Sequence, residues 1–351
     1  MWTGEFMTAG NRNLNASKAA KADEFYTLMS TVENELRNYR RYFRGKSVLC
    51  NCDDPYESNF FRYFALNFEA LGLKKLVCTC YSGSPILGTQ LALFGDSDED
   101  RRIPYKAVVT RARDANGDGG FDLDDVVKLL KDGENSVERL EGTGDFRSKE
   151  CMELLSECDI VVTNPPFSIA DEYLGVLLDS GKSFIVLGNI NHALYAKIFP
   201  RFVHGEFWLG CNAGHMWFNV PAYYEPKRTD YKEVDGQKMR RMGNICWFTN
   251  LDIEKRHEKL ILWETYTPEK FPTYDNFDAI HVAKTAEIPA DYFGNISVPI
   301  TYLPYHCPEQ FEIVGEVNNG CDSEYDFVRA VLRGKPQYKR VIIRRVDGRE
   351  Q

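Results

Sequence analysis

Asp159-Ile-Val-Val-Thr-Asn-Pro-Pro-Phe167 is the stretch on which the reading of this chain turns. The apolar run Ile160-Val161-Val162 predicts a buried strand. It stops at Asn164-Pro165-Pro166-Phe167, because neither proline has an N–H to give to a strand ladder. Pro165 also pushes Asn164 into an extended or turn conformation. An amide, a fixed carbonyl and an aromatic ring therefore gather at a strand's carboxyl end, where open α/β sheets bind ligands. These groups suit a planar ring with an exocyclic amino group. The Asn164 amide and the Pro165 carbonyl accept the amino hydrogens, and Phe167 stacks on the ring. The plainer reading is a Pro-Pro turn after a core strand. The Asn in front and the aromatic behind argue against it, since loops on a rigid scaffold tend to carry function.

Working outward, the pattern before this strand reads as α/β. Residues 22–43 carry Phe25, Leu28, Met29, Val32, Leu36 and Tyr39 at the 3–4 spacing of an amphipathic helix, closed by Gly45. Residues 47–52 predict a strand, 58–71 a helix stopped by Gly72, and 76–81 a second strand, together a βαβ unit. Residues 105–112 predict a strand and 148–157 a short helix. Beyond Phe167, Ser168 is placed to cap a helix over 169–180 that Gly181 closes, and 183–187 reads as another buried strand. Residues 191–199 read as helical. The pattern then changes to antiparallel strands near 207–209, 216–220 and 244–250, with a charged loop at 221–243. From 251 the composition turns to Tyr, Pro and mixed charge, and no internal repeat is visible.

Composition bounds the rest. A chain of 351 residues with 43% hydrophobic content can build one large α/β domain plus an appendage. No apolar stretch approaches the roughly 20 residues of a membrane span. Residues 1–21 are polar with no apolar signal core, so they read as a flexible N-terminus on a cytoplasmic protein without membrane contact. The ten cysteines then read as free thiols. Cys50-Asn-Cys52 and Cys78-Thr-Cys80 invite a zinc reading, but each pair lies in an apolar strand-like run, and buried core thiols fit better than a metal site. Asp114 to Asp125 resembles a calcium loop. It ends on Asp rather than Glu, though, and a polar turn whose Asp122 caps a helix over 123–131 is preferred.

A parallel sheet with an amino-group pocket at one strand end and an acidic turn after its first strand fits a nucleoside-type cofactor. Asp53 or Asp54 is suited to an ammonium or to hydroxyls. Asp145 is suited to accept from an adenine amino group, and Phe146 to pack on its ring. Each Asp alone reads equally as a turn residue; the series along the chain is the signal.

These motifs resemble a known family. Asp23-Glu-Phe-Tyr-Thr27, Leu49-Cys-Asn-Cys-Asp-Asp-Pro55, Ser58-Asn-Phe-Phe61, Leu71-Gly-Leu-Lys-Lys75, Gly144-Asp-Phe-Arg-Ser148 and Asn164-Pro-Pro-Phe167 look like the EcoRI-type adenine-specific DNA methyltransferases. The likeness runs from about residue 18 to 250. It implies a Rossmann-like class I methyltransferase fold, mostly parallel with helices on both faces, plus a C-terminal target-recognition extension. The catalytic domain is then 22–250 and the DNA-contacting extension 251–351. The cofactor implied is S-adenosylmethionine, and the acceptor is N6 of an adenine flipped out of double-stranded DNA. Asn164, Pro165, Pro166 and Phe167 become the catalytic motif. Tyr26, Thr27, Asn51, Asp53, Asp54, Asp145, Phe146 and Asn164 become cofactor contacts. No acidic residue ends the strand over 76–81, where many relatives place a ribose-binding carboxylate. A cognate restriction endonuclease acting on the same site is the further partner such an enzyme has room for.

The Asn-Pro-Pro-Phe motif is shared with methyltransferases of RNA bases and of protein glutamine, and a fold kept as an inactive binding module is a third reading. The charged 221–243 segment and the extra C-terminal residues favour DNA. A net charge of −9 disfavours wrapping of nucleic acid but leaves room for local basic grooves. Arg240 and Arg241 are the expected base readers, and Arg344 and Arg345, within the basic run from Lys335 to Arg349, the expected phosphate contacts. A further basic run is Arg37 to Lys46, and such runs, the C-terminal one included, are more often a solvated face than a phosphate track.

Overall fold

The structure is a computed structural model that describes residues 26–53, 58–80, 104–113, 125, 128, 135–220, 230–317, 326–327 and 329–348. They fall into two compact units, one from 1–188 with 215–243 and one from 189–214 with 244–351.

The first unit is mixed α/β. Strands β1 (Tyr26–Thr27), β2 (Ser47–Cys50), β3 (Lys75–Thr79), β4 (Tyr105–Val109), β5 (Ser136–Arg139), β6 (Ile160–Thr163) and β7 (Ser183–Asn189) alternate with helices at Met29–Leu36, Asn59–Leu66, Lys149–Glu157 and Ala170–Ser180. β7, β6, β2, β3, β4 and β5 lie side by side in that order. The pairs β7–β6, β6–β2 and β2–β3 are parallel, whereas β3–β4 and β4–β5 are antiparallel. Every residue of β2 and of β6 is buried, which is why these strands read as unbroken apolar runs rather than alternating ones. From β2 the chain moves out to β3 on one side and later returns at β6 on the other. The reversal of winding falls between β2 and β6, where open α/β sheets leave a crevice at the strands' carboxyl ends.

Several local expectations are corrected. The helix expected over 22–43 begins at Met29, because Tyr26 and Thr27 pair with Asn219 and Phe218 of β8 (Trp208–Asn219). It also passes through a 3₁₀ turn at Arg37–Tyr39 before Arg40–Phe43. The 58–71 helix breaks at Asn67 into Asn59–Leu66 and Phe68–Leu71, with the Ser58 hydroxyl accepting from the Phe60 and Phe61 amides and Gly72 left-handed at φ 63°. Ser168 is not the N-cap of the helix, because Phe167–Ile169 forms a 3₁₀ turn and Ile169 takes the position ahead of Ala170. The 191–199 helix is a 3₁₀ turn at Ile190–Leu194 followed by a short helix at Phe199–Val203. The charged 221–243 segment is not all loop: β9 (Tyr231–Val234) and β10 (Gln237–Thr249) form a hairpin through Asp235 and Gly236. Its residues 221–229 lie outside the described residues, as do residues 1–21, Asp54 and all of Asp114–Asp125 except Asp125.

The second unit holds a five-stranded sheet in the order β11 (Ile280–His281), β12 (Asn295–Pro299), β17 (Arg340–Arg345), β13 (Phe311–Val317), β14 (Asp326–Phe327). Tyr274, Ala279, Val317, Ala330 and Ile342 form one of its core clusters. A small hairpin, β15 (Val331–Leu332) with β16 (Lys335–Pro336), precedes β17. The nine described cysteines are free thiols. No helix among the described residues is long and apolar enough to cross a membrane.

Candidate active site

Parallel pairing sets Val48 opposite Ile160 and Leu49 opposite Val161, so β2 and β6 end side by side. The residues that follow them, Asn51 to Asp53 and Asn164 to Phe167, are the ones singled out by sequence. One residue joins the two ends. The Thr163 hydroxyl, at the last position of β6, donates a short hydrogen bond to Asp53 Oδ2 and accepts from the Cys52 amide at 3.2 Å. Asp53 Oδ1 accepts from the Ser58 hydroxyl at 2.7 Å, so the acidic turn also fixes the start of the next helix. Its neighbour Asn59 donates from Nδ2 to the Thr27 carbonyl at 2.7 Å, which brings β1 to the same place. Asp53 is 7% exposed. A buried carboxylate needs such partners, since an unpaired one costs several kcal/mol or about that order.

A second set of contacts runs the other way from β2. The Tyr173 hydroxyl, from the helix after the Pro-Pro turn, donates to Asn51 Oδ1 at 2.5 Å. The Tyr173 ring meets Phe146 edge-on with centroids 5.0 Å apart. Burial pushes the Tyr173 phenol and the Cys52 thiol well above their ordinary values, so both stay neutral. Next to Phe146, hydrogen bonds from Arg147 hold the Asp145 carboxyl below its ordinary range, so it is an anion at neutral pH. Gly144 sets this turn in place. It has φ +74°, and a Cβ there would stand 2.2 Å from the Cys80 carbonyl, just past β3.

The structure thus brings Thr27, Asn51, Asp53, Phe146 and Asn164 into one linked frame, with Asp145 adjacent. Asp54 lies outside the described residues. Asn164 and Pro166 are partly exposed, Pro165 is buried, and Phe167 is 4% exposed. Sequence reading gave no site role to Thr163, Ser58 or Tyr173, although Thr163 and Ser58 lie inside quoted motifs. Position next to Asn164 is the only signal Thr163 offers, and Tyr173 sits among the buried residues of its helix, where it reads as core.

The expected DNA-contacting side chains are scattered in their circumstances. Arg241 is exposed and Arg240 partly so. Arg344 is bonded to Glu312 at 2.6 Å, and Arg345 to Asp347 at 2.6 Å and to the Ala290 carbonyl. Arg340, read as part of the same basic face, is 7% exposed and donates inward to the Ser297 hydroxyl and to the carbonyls of Ser297 and Val282.

The family model of the adenine-specific methyltransferase EcoRI matches residues 13–346 of this chain. The chain belongs to that family. It is 40% identical over 343 residues to the type II methyltransferase M.EcoRI of Escherichia coli, covering 96% of this chain and 97% of that one. It is 35% identical over 348 residues to M.MpnI of Mycoplasma pneumoniae, covering 94% and 97%. A type II methyltransferase of Mycoplasma genitalium is 32% identical over 353 residues, covering 95% and 98%. No solved structure matches the chain. It is therefore an adenine-specific DNA methyltransferase, and the linked frame at β2 and β6 is its candidate active site.

Proposed function

We propose that this enzyme methylates N6 of an adenine swung out of duplex DNA at a specific site, by direct in-line transfer from S-adenosylmethionine. The observation that supports it most is the bond from Thr163 to Asp53, which ties the Asn-Pro-Pro-Phe turn to the acidic turn after β2 at the winding reversal. Methyltransferases of this kind generally use S-adenosylmethionine, which supplies an activated methyl group on a sulfonium. The residues present fit it. Among the described residues, the buried side-chain oxygens Thr27 Oγ1 and Thr79 Oγ1 have no hydrogen-bond partner, a costly state that a polar ligand relieves. Asp53, Asn51 and Thr27 are the groups to hold its amino-acid and ribose end, with Tyr26 and Asp54 next to them in sequence, and Asp145 and Phe146 the groups for its adenine. Thr79, at the end of β3, stands close to where a ribose carboxylate is missing.

On the acceptor side, Asn164 and the Pro165 carbonyl accept the two N6 hydrogens and so orient the nitrogen lone pair. Phe167 stacks on the flipped ring. The work is positioning and charge placement, with no covalent intermediate on the protein. The reading takes residues 22–250 as a Rossmann-like catalytic domain and 251–351 as a DNA-contacting extension. Arg240 and Arg241 read bases, while Arg344 and Arg345 exchange carboxylate partners for phosphates. A cognate restriction endonuclease would share the site. The test is methyl transfer from radiolabelled S-adenosylmethionine to duplex DNA, RNA and protein in parallel, with base-resolution mapping of the product. Label confined to N6 of adenines in one duplex sequence is expected. Transfer to RNA or to glutamine instead would overturn the reading.

A further inference from the structure

We propose that the β15–β16 hairpin and its exit strand, residues 329–339, form a backbone-gripping element for duplex DNA. This rests on the DNA reading above and names the surface that serves it. Arg329, Arg333, Lys335 and Tyr338 are exposed and Lys339 is partly so, Tyr338 at 93%. Among the described residues none of these four cations is in an ion pair, in contrast to Arg344 and Arg345 a few positions on. Unpaired positive charge thus stands beside an exposed aromatic hydroxyl, the mixture that meets phosphate and sugar.

The element is held rather than loose. Ala330 is fully buried in the cluster of Tyr274, Ala279, Val317 and Ile342, and Leu332 packs against that cluster. The pairs Val331–Pro336 and Leu332–Lys335 leave Arg333 and Gly334 as a two-residue turn, with φ 51° and 73°. Asp275 accepts from both turn amides, the Arg333 N–H at 3.1 Å and the Gly334 N–H at 2.7 Å. Asn276 adds a bond from the Val331 amide at 3.0 Å and one to the Arg329 carbonyl at 2.7 Å. Asp275 is thus engaged by backbone amides. The arrangement also runs against local preference. A turn with both central residues at positive φ favours Asn or Asp before Gly, and a long cationic side chain there is strained. A braced turn that carries Arg at its strained position keeps the guanidinium displayed.

The test compares full-length wild type with Arg333→Asn/Lys335→Gln/Lys339→Gln, using a fluorescein-labelled mixed-sequence duplex across a salt series. Each phosphate contact contributes about 0.9 to the slope of log affinity against log salt, so the slope should fall by about 2 to 3. Affinity at low salt should fall by about tenfold or more on every sequence, with turnover at saturating DNA kept and the melting temperature unchanged or slightly raised. An unchanged slope in the folded variant overturns the proposal. So does a loss confined to DNA carrying the methylation site, which would make the hairpin a base reader. If the triple variant melts early, Lys335→Gln and Lys339→Gln singly must each lower the slope by about 1; no change in either also overturns it. A wild type that binds no duplex and methylates RNA or protein defeats the DNA reading and this proposal together. A wild type that methylates duplex while the variant keeps its slope defeats the hairpin alone.

Discussion

At the carboxyl ends of β2 and β6, Asp53 accepts from Ser58 and Thr163, and Asn51 accepts from Tyr173. At the turn between β15 and β16, Asp275 and Asn276 bind only backbone, and the long side chains of Arg333, Lys335 and Tyr338 reach solvent. In the first region Asp53, Ser58, Thr163, Asn51 and Tyr173 satisfy one another side chain to side chain, as buried polar groups generally do. The second satisfies its main chain and leaves its side chains for a partner. A group that positions reacting atoms needs rigid side chains, whereas a surface that meets a long charged polymer needs a rigid backbone and available charge.

The largest effect that could break this contrast is at Asn164. Asn164→Ala should lower methyl transfer to duplex DNA by about 10²–10³, the usual cost of one positioned polar group at the reacting centre. Cofactor affinity, read by titration calorimetry with S-adenosylmethionine, should stay within a few-fold. Near-normal turnover would move the reacting centre away from the end of β6.

Asp53→Ala comes next. It strands the Ser58 and Thr163 hydroxyls and unties β2 from β6, at a cost of about 1–3 kcal/mol. For a chain of this size that is a fall of several degrees in melting temperature, or about 2–4 °C per kcal/mol. Cofactor affinity should fall with it, and Asp53→Asn should recover part of both. A variant that melts like wild type would show the frame to be incidental.

In the exposed region the equivalent change is smaller. Asp275→Ala removes two hydrogen bonds to turn amides that water can replace, so about 1 kcal/mol is expected, seen as a lower denaturant midpoint. Salt-dependent DNA binding should weaken along with it as the display of Arg333 loosens. Loss of stability without any change in binding would separate the brace from the contact.

What was legible in the sequence follows the same division. Val48-Leu49-Cys50 and Ile160-Val161-Val162 are buried along their whole length, and hydrophobic runs bounded by turn residues announce such strands. Asn164 to Phe167, Asp53 and Asp145 stood out because their side chains are unusual at strand ends. Thr163 and Tyr173 did not, since a Thr in a strand and a Tyr among Leu residues look like packing. The β9–β10 hairpin was missed because its exposed arm, Tyr231-Lys-Glu-Val234, has no apolar face to alternate, although Asp235-Gly236 is a strong hairpin signal. The helix expected over 22–43 failed for a non-local reason: Tyr26 and Thr27 pair with a strand nearly two hundred residues on, which helical spacing cannot foresee. Arg340 looked like part of a basic face because a run of Lys and Arg hides which one points inward.

The smallest effect bears most directly on the exposed side of the comparison, because the molecule contains its own control. Two hairpins turn on a residue–Gly pair with both φ positive: Asp235–Gly236 at 51° and 78°, and Arg333–Gly334 at 51° and 73°. The φ angles nearly match, so the first residue is the main variable. Asp tolerates the left-handed region through its short polar side chain, whereas an ordinary side chain there costs about 1–2 kcal/mol in steric crowding. Arg333→Asn should therefore stabilise the protein by up to about 1 kcal/mol, while Asp235→Arg should destabilise it by a similar amount. Urea unfolding of the two single variants beside wild type measures both, and shifts of opposite sign are expected. If Arg333→Asn is neutral or destabilising, the arginine is at ease in its turn, and the idea that stability has been given up there for a displayed charge loses its support.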